Sequence, residues 1–181
     1  MKIAISGSQG VGKSTLMAKI EDMHIPERYV FIKEIVRTLK NQGIKINRDA
    51  DYFSQCKILE EHYKNTLRYE SFITDRCAVD AFVYATYDYL NGKYTFEQYK
   101  QFENIFLECI RQYNIFYFLP VEFEIEKDGV RDIDKQYQKE INDLFITIYK
   151  KYEIRYEILT GTIEERLRKF AMRSGFTSFL K

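Results

Sequence analysis

The stretch AISGSQGVGKSTL, residues 4–16, carries the fold in miniature. It passes from a short apolar run, KIAIS, into a glycine-rich turn and then into a helical pattern with Leu16, Met17, Ile20 and Met23 on one face. An isoleucine-rich run of this length suits a central parallel strand buried on both faces. Gly7, Ser8, Gln9, Gly10, Val11, Gly12, Lys13 and Ser14 match the spacing GxxxxGK[ST]. Each residue type has a physical reason to be there. Glycines let the backbone take positive φ and curl around an anion, and the curled amides point inward as donors. A helix starting at the loop adds the positive end of its dipole. Lys13 places an ammonium on the outer phosphates of a polyphosphate, and the Ser14 hydroxyl can take a magnesium ligand position. Gly7, Gln9, Gly10, Val11, Gly12, Lys13, Ser14 and Thr15 are therefore the candidate nucleotide-binding residues.

Working outward, strand patterns alternate with helical ones. RYVFI, SFIT (71–74), NIFYFLP and EIRYEIL read as four further strands. Between them lie helical runs: a short one over Glu34–Leu39, and a long one with Asp49 as N-cap and Phe53, Cys56, Leu59, Tyr63 and Leu67 inward. Others open at the capping boxes Thr95–Gln98 and Thr162–Glu165, and one shows Tyr137, Ile141, Phe145 and Ile148 at helical spacing. Alternation of this kind predicts a parallel sheet covered on both faces, a three-layer α/β domain with five strands. The length of 181 residues, 45% hydrophobic, predicts one domain over 1–181. VEFEIEKDGVRDID, residues 121–134, reads as a hairpin strand or a flap, and a lid is expected over about 121–138.

Charge and cysteine content narrow the function classes. With 28 Lys+Arg against 27 Asp+Glu there is no electrostatic case for general nucleic-acid or membrane-surface binding. Three scattered cysteines form no CxxC pair, which disfavours a disulfide framework or structural zinc and predicts a reducing, cytoplasmic setting. No apolar run reaches the roughly 20 residues of a membrane span. The chain has no NKxD guanine-reading motif and no LSGGQ-like signature, so a GTPase and an ABC-type ATPase are both disfavoured.

The second informative stretch is FITDRCAVDAFVYA. Asp75 follows a buried strand, at the carboxyl edge where α/β proteins bind ligands. A carboxylate there can accept a proton from an acceptor hydroxyl or hold magnesium, directly or through water. Arg76 suits a phosphate or carboxylate. Glu34 and Arg37, in KEIVR, reach the same edge; they read either as acceptor-binding groups or as an i,i+3 surface pair. Arg131, after the glycine of DGVR, would arrive with a lid and stabilise transition-state charge. Arg166, Arg168 and Arg173 read as a mainly solvated helix face with one adenine contact among them.

Together the phosphate loop, KEIVR, TDR and DGVR resemble the NadR-like P-loop kinase family, and ITDRCAVDAFVYA is similar to the corresponding stretch of thymidylate and deoxynucleoside kinases. The composition, rich in Ile, Lys and Tyr, also resembles that of bacteriophage proteins. The resemblance implies the nucleoside and nucleotide kinase fold with strand order 2-3-1-4-5, ATP with Mg2+ as donor, and a nucleoside or nucleotide as acceptor. On this basis Lys13, Asp75 and Arg131 are the expected catalytic residues, Glu34, Arg37 and Arg76 the expected substrate-binding residues, and Ser14 and Asp75 the metal-binding ones. The favoured acceptor is a (deoxy)nucleoside monophosphate. A nucleoside such as ribosylnicotinamide, a modified base in DNA, and a non-catalytic ATPase switch stand as alternatives. The partner is then a small molecule, and a homodimer is compatible with it.

Overall fold

The computed structural model describes residues 1–33, 35–45, 50–122 and 135–180; the side chains of residues 36, 37 and 40 lie outside the description. Its strands are β1 (Lys2–Ser6), β2 (Val30–Ile32), β3 (Phe72–Asp75), β4 (Ile115–Phe118) and β5 (Glu157–Ile158). Its helices are α1 (Lys13–Asp22), α2 (Ile35–Asn41), α3 (Tyr52–Arg68), α4 (Ala78–Leu90), α5 (Phe96–Ile110), α6 (Lys135–Lys151) and α7 (Ile163–Ser174). The five strands form one sheet in the order β2-β3-β1-β4-β5, with every pairing parallel. This is the expected three-layer α/β order. Four crossovers join the successive strands, because parallel neighbours need a covering connection; α1 and the C-terminal α7 cover one face and α3 to α6 the other.

The alternation of side chains along β1 divides the core. Ile3 and Ile5 pack with Leu16, Met17, Ile20, Tyr117, Leu159 and Phe170 under α1 and α7. Ala4, from the opposite side of the same strand, packs with Phe72, Phe82, Phe106, Phe118, Phe145 and Tyr149 under the larger helical layer. The small alanine admits large rings, and Phe82 stacks on Phe106 with centroids 4.1 Å apart. Both capping boxes form as the sequence predicts: Thr95 with Gln98, and Thr162 with Glu165.

Three details depart from expectation. Helix α3 starts at Tyr52 and is capped by Asp51, whose carboxylate accepts the Ser54 N–H at 2.9 Å; Asp49 lies outside the described residues. Its buried face is shifted: Phe53 and Leu67 are 61% and 65% exposed, while Gln55, Ile58 and His62 join the expected Leu59 inside, and the expected Cys56 and Tyr63 pack half-buried against the core. The inward face borders a small cavity against α4, described below. The fifth strand pairs over two residues only, since EIRYEIL is an edge with one neighbour. The expected lid falls largely on residues 123–134, outside the described residues. Among the described residues no helix is long and apolar enough to cross a membrane.

Candidate active site at the phosphate loop

Register brings the candidate residues together. Asp75 pairs with Ile5, so the end of β3 stands beside the end of β1, just where the chain turns into the loop. Gly7, Gly10 and Gly12 all take positive φ (146°, 79° and 89°), and Gly12 leads into the first turn of α1. At Gly7 there is also no room: a Cβ would lie 2.4 Å from the Leu119 carbonyl oxygen at the end of β4.

Lys13 is buried and folded over the loop, its ammonium donating to the carbonyl oxygens of Gly7 at 2.8 Å and Ser8 at 2.5 Å. Burial, followed by the neighbouring Arg76 guanidinium, pulls its pKa down to about 7, against the opposing pull of Asp80 and Asp75. The Ser14 hydroxyl donates to Asp75 Oδ2 at 2.8 Å. The other oxygen, Asp75 Oδ1, is buried with no hydrogen-bond partner, as is the Ser8 hydroxyl. A buried carboxylate oxygen without a donor is costly, and it invites a hydroxyl or a metal-bound water.

Arg76 holds φ 75°, strained for a residue with a side chain, and is fixed there by its N–H to the Ile5 carbonyl (2.9 Å) and by the Thr74 hydroxyl on its own carbonyl (2.8 Å). Its guanidinium lies 3.6 Å from Asp80 and 5.9 Å above the Tyr84 ring. Asp80 is a site residue that sequence reasoning did not single out. Its Oδ2 accepts the Cys77 N–H at 3.0 Å, opening α4, and its Oδ1 reaches the Gly7 N–H at 3.4 Å. Desolvation raises its pKa against the pull of Arg76 and Lys13. The Cys77 thiol is likewise raised by burial and behaves as a core residue.

A cavity opens on each side of this centre. One, about 550 Å³, runs behind the loop between Gly10, Thr15, Pro120, Gln138, Thr162 and Arg166. The other, about 30 Å³, lies between α3 and α4 and is lined by Gln55, Ile58, His62, Arg76, Asp80 and Tyr84. His62 is 1% exposed, its Nε2 has no partner, and burial with nearby Arg76 lowers its pKa to about 3. It is a neutral imidazole lining the smaller cavity.

Arg166 is a correction to the sequence reading. It is not solvated but 6% exposed, bonded to the Val11 carbonyl at 2.7 Å, to the Gly161 carbonyl at 3.0 Å and to Glu122 at 2.6 Å. Gln138, from α6, donates to the Gln9 carbonyl at 2.7 Å. The signal for these residues was present. Arg166 sits three residues from Ile163 and four from Phe170 on the inward face, and Gln138 stands three before Ile141. A polar residue on an apolar stripe is not specific, however: Glu103 is equally buried and serves only Lys100, Lys151 and Tyr152. Arg168 and Arg173 are exposed, as expected. Glu34 and Arg131 lie outside the described residues, and Arg37 is in α2 with its side chain outside them.

Residues 2–166 match the family model AAA_28, described as an AAA domain, and the chain belongs to that family. No curated protein sequence matches the chain. Among solved structures, the chain is similar to NadR in complex with NR, with TM-score 0.74 and 16% identity over 99% of this chain and 52% of that one. It therefore spans about half the length of that NadR chain. It is also similar to the deoxyadenosine kinase from M. mycoides with the products dCMP and dCDP bound (TM-score 0.72, 21% identity, 97% and 99% of the two chains). The thymidylate kinase from Candida albicans follows at TM-score 0.60 and 16% identity over 98% and 92%. The fold is thus that of the NadR-like P-loop kinases.

Proposed function

We propose that the chain is an ATP-dependent phosphotransferase acting on a nucleoside-type acceptor. One observation carries this reading: the Ser14–Asp75 pair, with Asp75 Oδ1 unpartnered, joins the start of α1, next to the phosphate loop, to the residue before Arg76, which lines the second cavity. The loop amides and Lys13 hold the donor phosphates. The larger cavity behind the loop has room for the donor's base and sugar. Asp75 Oδ1 accepts the proton of the acceptor hydroxyl, or would hold a magnesium ion directly or through water, and Arg76 stabilises charge beside it. Transfer then depends on positioning and electrostatics rather than on covalent chemistry by the protein.

The residues present fit magnesium. Among the described residues no group of three or more His, Cys, Asp or Glu gathers into a cage. Mg2+ bound with a nucleotide does not need one, because phosphate oxygens and waters supply most of its ligands. Ser14 and Asp75 would hold it, and when bound it would neutralise charge developing on the phosphates.

The sequence favours a monophosphate acceptor; the charges in the described part of the cavity favour a nucleoside hydroxyl. There, the Arg76 guanidinium is already engaged by Asp80 and Tyr84. A phosphate dianion would meet the Asp80 carboxylate. The ligands of NadR and of the mycoplasma kinase support a nucleoside or nucleotide in either case. The pocket between α3 and α4 has space for about two waters, so an acceptor must part these helices to enter. Labelled ATP and Mg2+ incubated with nucleosides, monophosphates and DNA test the reading. Transfer to nucleosides supports it, and transfer to monophosphates alone restores the first order. Slow hydrolysis with no acceptor points instead to an ATPase switch.

A further inference from the structure

A loop with three positive-φ glycines is well shaped for an anion but poorly held. Peptide planes beside glycine flip at little steric cost, and each flip replaces an inward N–H with an inward carbonyl. In this protein two of those planes are fixed from outside. Gln138 Nε2 donates to the Gln9 carbonyl at 2.7 Å, and Arg166 donates to the Val11 carbonyl at 2.7 Å. In a planar trans peptide the carbonyl and the following N–H point in opposite directions. Holding the Gln9 and Val11 carbonyls on the outside of the loop therefore turns the N–H groups of Gly10 and Gly12 to the other side.

We propose that Gln138 and Arg166 are positioning residues that preset the phosphate loop, orienting the Gly10 and Gly12 amides for a polyphosphate before it arrives. The two side chains come from α6 and α7, far along the chain, and both are buried. Arg166 is itself aimed by Glu122, whose carboxylate accepts from Arg166 and from the Gly161 N–H at 3.0 Å. The guanidinium fork thus ties the loop after β5, the segment after β4 and the phosphate loop into one unit. The gain is preorganisation: a loop already in its binding form loses less conformational freedom on taking up the ligand. This inference rests on the loop being a polyphosphate site.

Both side chains also line the larger cavity, so the rival role is direct contact with the donor's base. A ligand without a base separates the two. Full-length wild type, Gln138→Leu, Arg166→Gln and Arg166→Lys are titrated calorimetrically with ATP–Mg2+ and with inorganic tripolyphosphate–Mg2+, and their melting midpoints are recorded. Loss of the single bond each residue makes to the loop predicts about a threefold to tenfold weakening for Gln138→Leu and Arg166→Gln, equal for the two ligands. Arg166→Lys, keeping one donor, falls in between. Weakening confined to ATP assigns the residues to the base and overturns the proposal, as do unchanged affinities. A fall in melting midpoint in Gln138→Leu and Arg166→Gln without loss of tripolyphosphate affinity also overturns it, leaving a purely structural role. Wild type that binds neither ligand overturns the polyphosphate reading itself.

Discussion

The Ser14 hydroxyl donates to Asp75 Oδ2 at 2.8 Å, joining the first turn of α1 to the end of β3 across 61 residues of sequence. That bond orients the carboxylate, leaving its second oxygen buried and without a donor. Replacing Asp75 with Asn preserves shape and one acceptor but removes the charge. Turnover of the Asp75→Asn variant should fall at least about a hundredfold, while affinity for a non-hydrolysable ATP analogue changes little. Steady-state kinetics beside calorimetry check this; turnover equal to wild type would remove the role given to Asp75.

Lys13 predicts a proton linkage in nucleotide binding. In the free protein its pKa lies at about 7, and a polyphosphate beside it raises that value. Binding above neutrality therefore takes up a proton, and affinity should decline as pH rises from about 7 towards 9. Calorimetry at pH 8 in two buffers of different ionisation enthalpy should report net uptake, absent in Lys13→Ala. Equal observed enthalpies in the two buffers for wild type would contradict the linkage.

Gly7 is a test of backbone space. An alanine there adds both a strained φ of 146° and a Cβ 2.4 Å from the Leu119 carbonyl oxygen. Gly7→Ala should cost at least about 2 kcal/mol of stability and weaken ATP binding. Gly92, with φ 74° and open space around it, provides the comparison. There the strain alone predicts about 1 kcal/mol, with no effect on ATP. Urea unfolding of both variants decides between crowding and φ as the source.

His62 links stability to acid. Its folded pKa is about 3 against an ordinary value of 6.5, because burial and then Arg76 disfavour the imidazolium. Between those values the unfolded chain binds a proton that the folded one does not. Its contribution is fully present above about pH 6.5 and is lost as pH falls, by up to about 1.4 kcal/mol per unit. His62→Gln should flatten the slope of unfolding free energy between pH 6.5 and 5. An unchanged slope would place the acid sensitivity elsewhere.

The strands, their parallel pairing and the glycine loop were legible because each rests on local signals: apolar runs, capping boxes and glycine spacing. The strand order was expected only from the resemblance to the NadR-like kinases. Asp75 and Arg76 were legible too, since a charged pair ending an apolar strand marks a sheet edge. Helix α3 was legible only in part. Periodicity chose Leu59 rightly and Phe53 and Leu67 wrongly, whereas the face that packs toward α4 carries Gln55 and His62 to line a cavity with Arg76 and Asp80. No window on a single helix shows what the neighbouring helix brings.

Residues 4–16 alone dictate a curled, glycine-hinged loop between a strand and a helix, because φ preferences and hydrophobic periodicity act over a few positions. Which way its peptide planes face is another matter. That depends on Gln138 and Arg166, whose donors reach the loop only after α6 and α7 have packed against the sheet. Helical periodicity puts both residues on an inward face without showing what they bond there, so these long-range hydrogen bonds emerge only with the packed chain.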